Sequence, residues 1–275
     1  MAYKDILVFL DDGKTNSDRI QSAFELAKAQ NAKLTGVALA SLKPKHAKAD
    51  DDKAASRMGE KLSEKLVEDF KQSATNAGIT VNTIIIFGSA SVSAQKMAHY
   101  ARNFDLVILT QPDPAKDSYI RMQDFSLQVM MHSGRPVLFM PYIGAKKIPC
   151  EKAIIAWDGT PSVSRSVHDA IPLLASLKQV TILVVESKKQ KQTKKDVLVE
   201  GLAYHLEHHG IQVDIRLVNP GFNSVSTIIQ NQISEYDIDL LVMGGHGTPS
   251  LKQKMLGGVS RKLLSSMVVP VVMSH

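Results

Sequence analysis

What most constrains this chain is an internal repeat: one pattern of short apolar runs is written twice. "KDILVFLDD" from Lys4 and "EKAIIAWDG" from Glu151 are each an apolar run ending in an aspartate, Asp11 and Asp158. "AKLTGVALAS" corresponds to "QVTILVVES", and "GITVNTIIIFGSASVS" to "GIQVDIRLVNPGFNSVS". "FDLVILT" and "RPVLFMP" correspond to "IDLLVMG" and "VPVVMSH", and from Asp105 and Asp239 to Pro136 and Pro270 the copies run without a gap. A repeat of this length is a domain rather than a solenoid unit, because each copy is large enough to bury its own core.

Short runs rich in Val, Ile and Leu read as strands buried on both faces, as in a parallel sheet. Between them lie helical patterns: Leu62, Leu66 and Phe70 recur at i+4 in the first copy, and Leu198, Leu202 and Leu206 in the second. "NAGI" and "HHGI" place Gly78 and Gly210 where a helix stops. Each copy therefore reads as alternating β and α elements. The expected fold class is α/β: two tandem Rossmann-like doubly wound domains, each a five-stranded parallel sheet of order 3-2-1-4-5 with helices on both faces. The expected boundaries are 1–146 and 147–275, inside the polar junction "YIGAKKIPCEK". One insertion, "KPKHAKADDDKAAS", distinguishes the first copy; it is poor in apolar residues and predicts a mobile segment.

Composition excludes several classes. Apolar residues at 44% and charged residues at 22% are globular values. No apolar run approaches the ~20 residues of a membrane span. The opening "MAYKDILVFLDDG" reads as a strand rather than a signal peptide, which predicts a cytoplasmic protein. The single cysteine, Cys150, has no partner for an internal disulfide. A net charge of +6 invites nucleic acid, but the lysines are dispersed and aromatics make up 5%, too few for a base-stacking surface. The densest basic run, "KKQKQTKK" from Lys188, reads as a solvated helix start or loop, with attraction of an anion as the alternative.

Ligands of an open doubly wound sheet bind beyond the carboxyl ends of the strands, where the strand order reverses. In the second copy that point lies between the strand ending at Trp157-Asp158 and the strand running into "GGHG". Gly244 and Gly247 allow a sharp turn and close backbone approach. Gly257 and Gly258 open the helix "VSRKLLSSM", whose first N–H groups offer an anion site. Ser260 sits early enough in that helix for its hydroxyl to help, and Lys252, Lys254 and Arg261 add positive charge. Asp158 is also compatible with capping the next helix, since "DGTPS" is a helix-start signal.

"GGHG" followed by nine residues and "GG" resembles the G-x-x-G-x9-G-[Ser/Thr] nucleotide loop of the universal stress protein family. An aspartate closing strand 1 and a final "VPVVM" strand fit the same family, and the resemblance covers the whole chain as two tandem copies. It implies ATP in the second domain, with Mg2+ or Mn2+ as accompanying ion. Asp158 and the backbone of Val185 would recognise the adenosine end. Gly244 and Gly247 would line the ribose and phosphates, and Gly257 with the following amides would hold the phosphate chain. One position departs: Gly258 stands where the family has a serine or threonine. In the first copy the gapless register puts Thr110, Asp113, Gln123 and Asp124 at the positions of Gly244, Gly247, Gly257 and Gly258. Acids there would repel a triphosphate, so the first nucleotide loop is expected to be degenerate.

No P-loop is present, "GHGTPS" falls short of a dinucleotide fingerprint, and no Ser-His-Asp set stands out, so no residue is assigned to catalysis. His205, His208 and His209 sit near a helix C-terminus and read as solvated side chains facing the dipole rather than as metal ligands. His246 reads as part of the loop's shape. The expected function is regulatory binding of adenine nucleotide in a stress response, with an unidentified protein partner and no nucleic acid or membrane. The alternatives are a nucleotide-free scaffold of the same fold and a slow ATPase. The copies would pair within one chain or between two chains of a homodimer.

Overall fold

A computed structural model describes residues 2–40, 52–88, 90–111, 119–143, 148–186, 192–245 and 258–275, with side chains from 57, 92, 125 and 199 onward in the helices that begin at 52, 90, 119 and 192. The chain divides into two compact units, 2–149 and 150–275.

In the first unit β1 (Asp5–Leu10), β2 (Lys33–Leu39), β3 (Val81–Ile86), β4 (Leu106–Thr110) and β5 (Val137–Met140) alternate with helices. These are α1 (Asn16–Gln30), α2 (Asp52–Asn76), α3 (Ala90–Ala101) and α4 (Tyr119–Ser133). All pairings are parallel, in the order β3-β2-β1-β4-β5. The second unit repeats the plan with β6 (Lys152–Ala156), α5 (Pro161–Leu174), β7 (Gln179–Val185), α6 (Gln192–His208) and β8 (Val213–Val218). It continues through α7 (Val225–Glu235), β9 (Leu240–Gly244), α8 (Gly258–Ser265) and β10 (Val271–Ser274). Its order is β8-β7-β6-β9-β10, again parallel. Within each unit the strands thus follow the expected 3-2-1-4-5 order.

Burial explains the continuous apolar runs. Every residue of β4 and β9 is buried, as are Ile6 to Leu10 of β1. Such strands are covered on both faces, and each enclosed Leu, Ile or Val contributes about 1.5 to 3 kcal/mol. The i+4 helical stripes also point inward: Leu66 and Phe70 of α2 and Leu202 and Leu206 of α6 are buried. Gly78 and Gly210 end their helices in left-handed conformation, at φ +69° and +74°. Ile79 N–H bonds Ala74 O at 2.9 Å and Gly78 N–H bonds Thr75 O at 3.0 Å; Ile211 and Gly210 do the same with Leu206 and Glu207. That is the Schellman pattern, which satisfies the last carbonyls of each helix.

The repeat holds down to single contacts. Val107 pairs with Val137 as Leu241 pairs with Val271, so the gapless register is also a structural one. Asp105 Oδ2 accepts from the N–H groups of Lys4 and Asp5, at 2.7 and 3.1 Å. Asp239 Oδ2 does likewise for Glu151 and Lys152, at 2.9 and 3.0 Å. The end of the first copy's insertion, Asp52–Ser56, is the start of α2. Its acids favour a helix N-terminus and its alanines are strong helix formers. Residues 43–51 of that insertion lie outside the described residues.

Candidate functional site

The reversal of strand order in the second unit falls between β6 and β9. Ala156 of β6 is level with Leu183 of β7 and Met243 of β9. Two residues further along, Asp158, Val185 and Gly245 stand at the same carboxyl edge. Sheet topology therefore brings Asp158, Val185 and Gly244 to one rim. Gly247 and Gly257, with His246, Lys252 and Lys254, lie outside the described residues.

Asp158 is exposed, and its carboxylate shapes its own turn. Oδ1 accepts from Thr160 N–H at 3.0 Å and from Thr160 Oγ1 at 2.7 Å. Gly159 beside it has φ +72°. The cap of α5 is Thr160, whose hydroxyl oxygen accepts from Val163 N–H at 3.4 Å, with Pro161 at the first helical position. Asp158 therefore does not cap the helix directly; it orients the residue that does. Trp157, half-buried, is tied by its N–H to Leu183 O at 2.9 Å. Val185 is half-buried at the last position of β7.

Gly244 has a reason to be glycine that the sequence did not disclose. A Cβ there would lie 2.8 Å from Val163 N and 2.9 Å from Ser162 Oγ, both in the first turn of α5. The end of β9 thus runs against the backbone of a helix N-terminus. A second helix start meets it: Ser260, buried in the first turn of α8, donates its hydroxyl to Gly244 O at 3.2 Å. The Ser260 hydroxyl is a strut between α8 and β9, which leaves its main-chain N–H as the group aligned with the helix start. Two positive helix ends converge on one strand terminus, an arrangement that favours an anion at the rim.

Gly258, the first residue of α8, is exposed, and among the described residues a Cβ added there would meet nothing within 4 Å. Packing against the described residues therefore does not require a glycine there. In the first unit the corresponding Gln123 and Asp124 lie inside α4, which begins at Tyr119. There the backbone amides belong to a helix interior and cannot face a ligand. Thr110, at the position of Gly244, is buried and donates its hydroxyl to Gln111 O at 3.1 Å. Asp113 lies outside the described residues.

Sequence reasoning missed the fate of Asp11. It is buried against Arg19 of α1, with Arg19 Nη2 3.2 Å from Asp11 Oδ2. The signal was present: Arg19 falls on the same helical stripe as Ile20, Ala23, Phe24 and Ala27, all buried. A charge on an apolar face demands an internal counter-ion.

The model of the universal stress protein family matches residues 2–141 and 178–275. No curated protein matches the chain in sequence. Among solved structures, a universal stress protein from Archaeoglobus fulgidus DSM 4304 superposes with a TM-score of 0.73 at 18% identity, covering 98% of this chain and 94% of that one. A functionally unknown protein from Pseudomonas aeruginosa PAO1 follows at 0.63 and 15%, covering 98% and 92%. At these identities the likeness is one of fold. The second family match begins at residue 178, so the placement of Asp158 rests on the sheet register instead. Among the described residues no helix is long and apolar enough to cross a membrane.

Proposed function

The chain belongs to the universal stress protein family, and on that premise we propose that its 150–275 unit binds ATP, with Mg2+ or Mn2+, as a regulatory ligand. The observation that carries this reading is the convergence of the α5 and α8 starts on Gly244, at the rim where Asp158 stands exposed. In this reading Asp158 and the Val185 backbone take the adenosine end. Gly244 and Gly247 line the ribose and phosphates. The amides of Gly257, Gly258 and Ser260 hold the phosphate chain. The divalent ion, shared with the phosphates, offsets their charge.

The first unit carries no such site in this reading. Its strand-end aspartate is consumed by Arg19, and its fourth helix has no start where the phosphate amides would be needed. Binding rather than turnover is the proposed output, with the occupied unit selecting a protein partner in a stress response.

The test uses Trp157, the single tryptophan, next to Asp158. Mg-ATP added to the full chain is expected to change its fluorescence, with calorimetry giving one site per chain. Silence in both measurements at millimolar nucleotide would favour a scaffold of the same fold. Turnover of ~1 per second or faster would make the protein an enzyme.

A further inference from the structure

β8 alternates apolar and charged residues as V-D-I-R-L-V, and the side packed against a helix is the one such a strand normally leaves to water. The Arg216 guanidinium lies 3.5 Å from the centroid of the Tyr236 ring at the end of α7, and its Nη1 donates to Gln232 Oε1 at 2.9 Å. Asp214 shares that face by the period of two, and accepts from Gln179 Nε2 of β7 at 3.3 Å. The opposite, apolar face is left open: Ile215 is 41% exposed and Leu217 50%.

β8 is also an end strand, paired among the described residues with β7 alone. Successive residues of a strand direct their main-chain N–H and C=O to opposite sides. Val218 O accepts from Glu186 N–H at 2.9 Å, so the groups of Val218, Arg216 and Asp214 point toward β7. Those of Val213, Ile215 and Leu217 point outward. The exposed apolar side chains and the outward ladder groups therefore belong to the same residues.

We propose that β8 pairs with β8 of a second copy of this chain, antiparallel about a twofold axis at Ile215. With Ile215 opposite the partner's Ile215, Asp214 stands opposite the partner's Arg216, and Arg216 opposite the partner's Asp214. Val213 and Leu217 meet in the same way, so the two open apolar faces join in one stripe. The outward groups make Ile215 a hydrogen-bonded pair, which leaves the charged residues in the closer pairs, with Cα atoms about 4.5 Å apart. Opposite charges directly across a ladder favour pairing, and like charges oppose it. Shifting the register by two residues either way sets Arg216 or Asp214 against its own copy, so one register is singled out. A twofold contact of this kind is closed and stops at a dimer. The end strand of the other unit lacks the property. β3 is held alike, with Ile86 O accepting from Ala40 N–H at 2.9 Å, yet the equivalent register sets Asn82 against Ile84. A ladder this short buries less than the roughly 1,600 Å2 of a standard interface, so the dimer is a reversible one.

The experiment is sedimentation equilibrium of the full chain without nucleotide, from micromolar to near-millimolar protein. A monomer–dimer equilibrium with no larger species is expected. D214K sets a cation against the partner's Arg216 and should weaken the dimer about tenfold or more, whereas D214K/R216E reverses both charges and should restore it. Cysteine variants in a C150S background read the register. In I215C the two Cα atoms stand about 5.5 Å apart, within disulfide reach, and mild oxidant should link the copies. In L217C they are offset by four residues, roughly 14 Å, too far for the bond. Circular dichroism establishes that each variant is folded. A monomer at every concentration overturns the pairing, as does wild-type dimerisation in D214K or no recovery in D214K/R216E. A disulfide in L217C rather than I215C overturns the register.

Discussion

Arg19 reaches back from α1 to Asp11 at the end of β1, with Nη2 3.2 Å from Oδ2 and the two residues 1% and 8% exposed. The guanidinium also donates from Nε to Phe9 O at 2.9 Å and from Nη2 to Asn16 Oδ1 at 2.7 Å. Asp11 Oδ1 accepts from Gly13 N–H at 2.6 Å. Counting the same eight residues from Asp158 leads to Ser166, whose hydroxyl group donates to Ser162 O at 3.0 Å and whose oxygen accepts from Ser274 N–H at 2.8 Å. The same strand-end aspartate is thus neutralised internally in one unit and left at the rim in the other.

Replacing Arg19 with Met leaves a buried carboxylate without its counter-ion, a change that costs about 3 to 5 kcal/mol. The loss should fall on the 2–149 unit. Trp157 fluorescence reports the other unit, whereas circular dichroism reports both. In R19M the dichroism transition in urea should therefore begin well before the fluorescence transition. Superimposable transitions at the wild-type midpoint would refute the role given to this pair.

Gly244→Ala places a methyl 2.8 Å from a backbone nitrogen of α5, which cannot yield as a flexible side chain would. Overpacking of this kind costs about 1 to 3 kcal/mol. The expected result is a lower midpoint in the Trp157 transition together with weaker Mg-ATP binding, because the strand end and the helix start move apart. Unchanged stability would mean that the close approach is not real.

Gly258 tests the nucleotide reading from the opposite direction, since no described residue would lie within 4 Å of a Cβ there. Gly258→Ser restores the hydroxyl of the family pattern. A hydrogen bond to a charged group is worth about 1.5 to 3 kcal/mol, so affinity for Mg-ATP should rise between roughly tenfold and a hundredfold. Calorimetry reads this directly. No gain in a folded G258S protein would count against phosphates at the start of α8.

The alternation of strands and helices, the gapless register from Asp105 to Pro136, and the glycine helix stops could be read from the sequence because each is set by local pattern: apolar runs, i+4 stripes and turn residues. What escaped was tertiary. Thr160 rather than Asp158 caps α5, since the choice depends on where the turn points each oxygen. The second duty of Gly244 appears only when α5 is packed on β9. Ser260 was expected to offer its hydroxyl to a ligand, but burial turned it onto the Gly244 carbonyl. His168 meets His205 through packing of α5 and α6, which no spacing in the chain encodes.

Asp105 and Asp239 offer a paired test of the repeat itself. Each carboxylate accepts two main-chain N–H groups at the start of the first strand of its unit, across about a hundred residues of chain in one case and fewer in the other. Removing the acceptor leaves two donors to find water at a strand end, a loss of about 1 to 3 kcal/mol. D239A should shift the Trp157 transition to lower urea, whereas D105A should leave it in place and shift the remaining dichroism signal. A reversal of that assignment, or the same shift of both signals in each variant, would show that the two aspartates do not serve their own units separately.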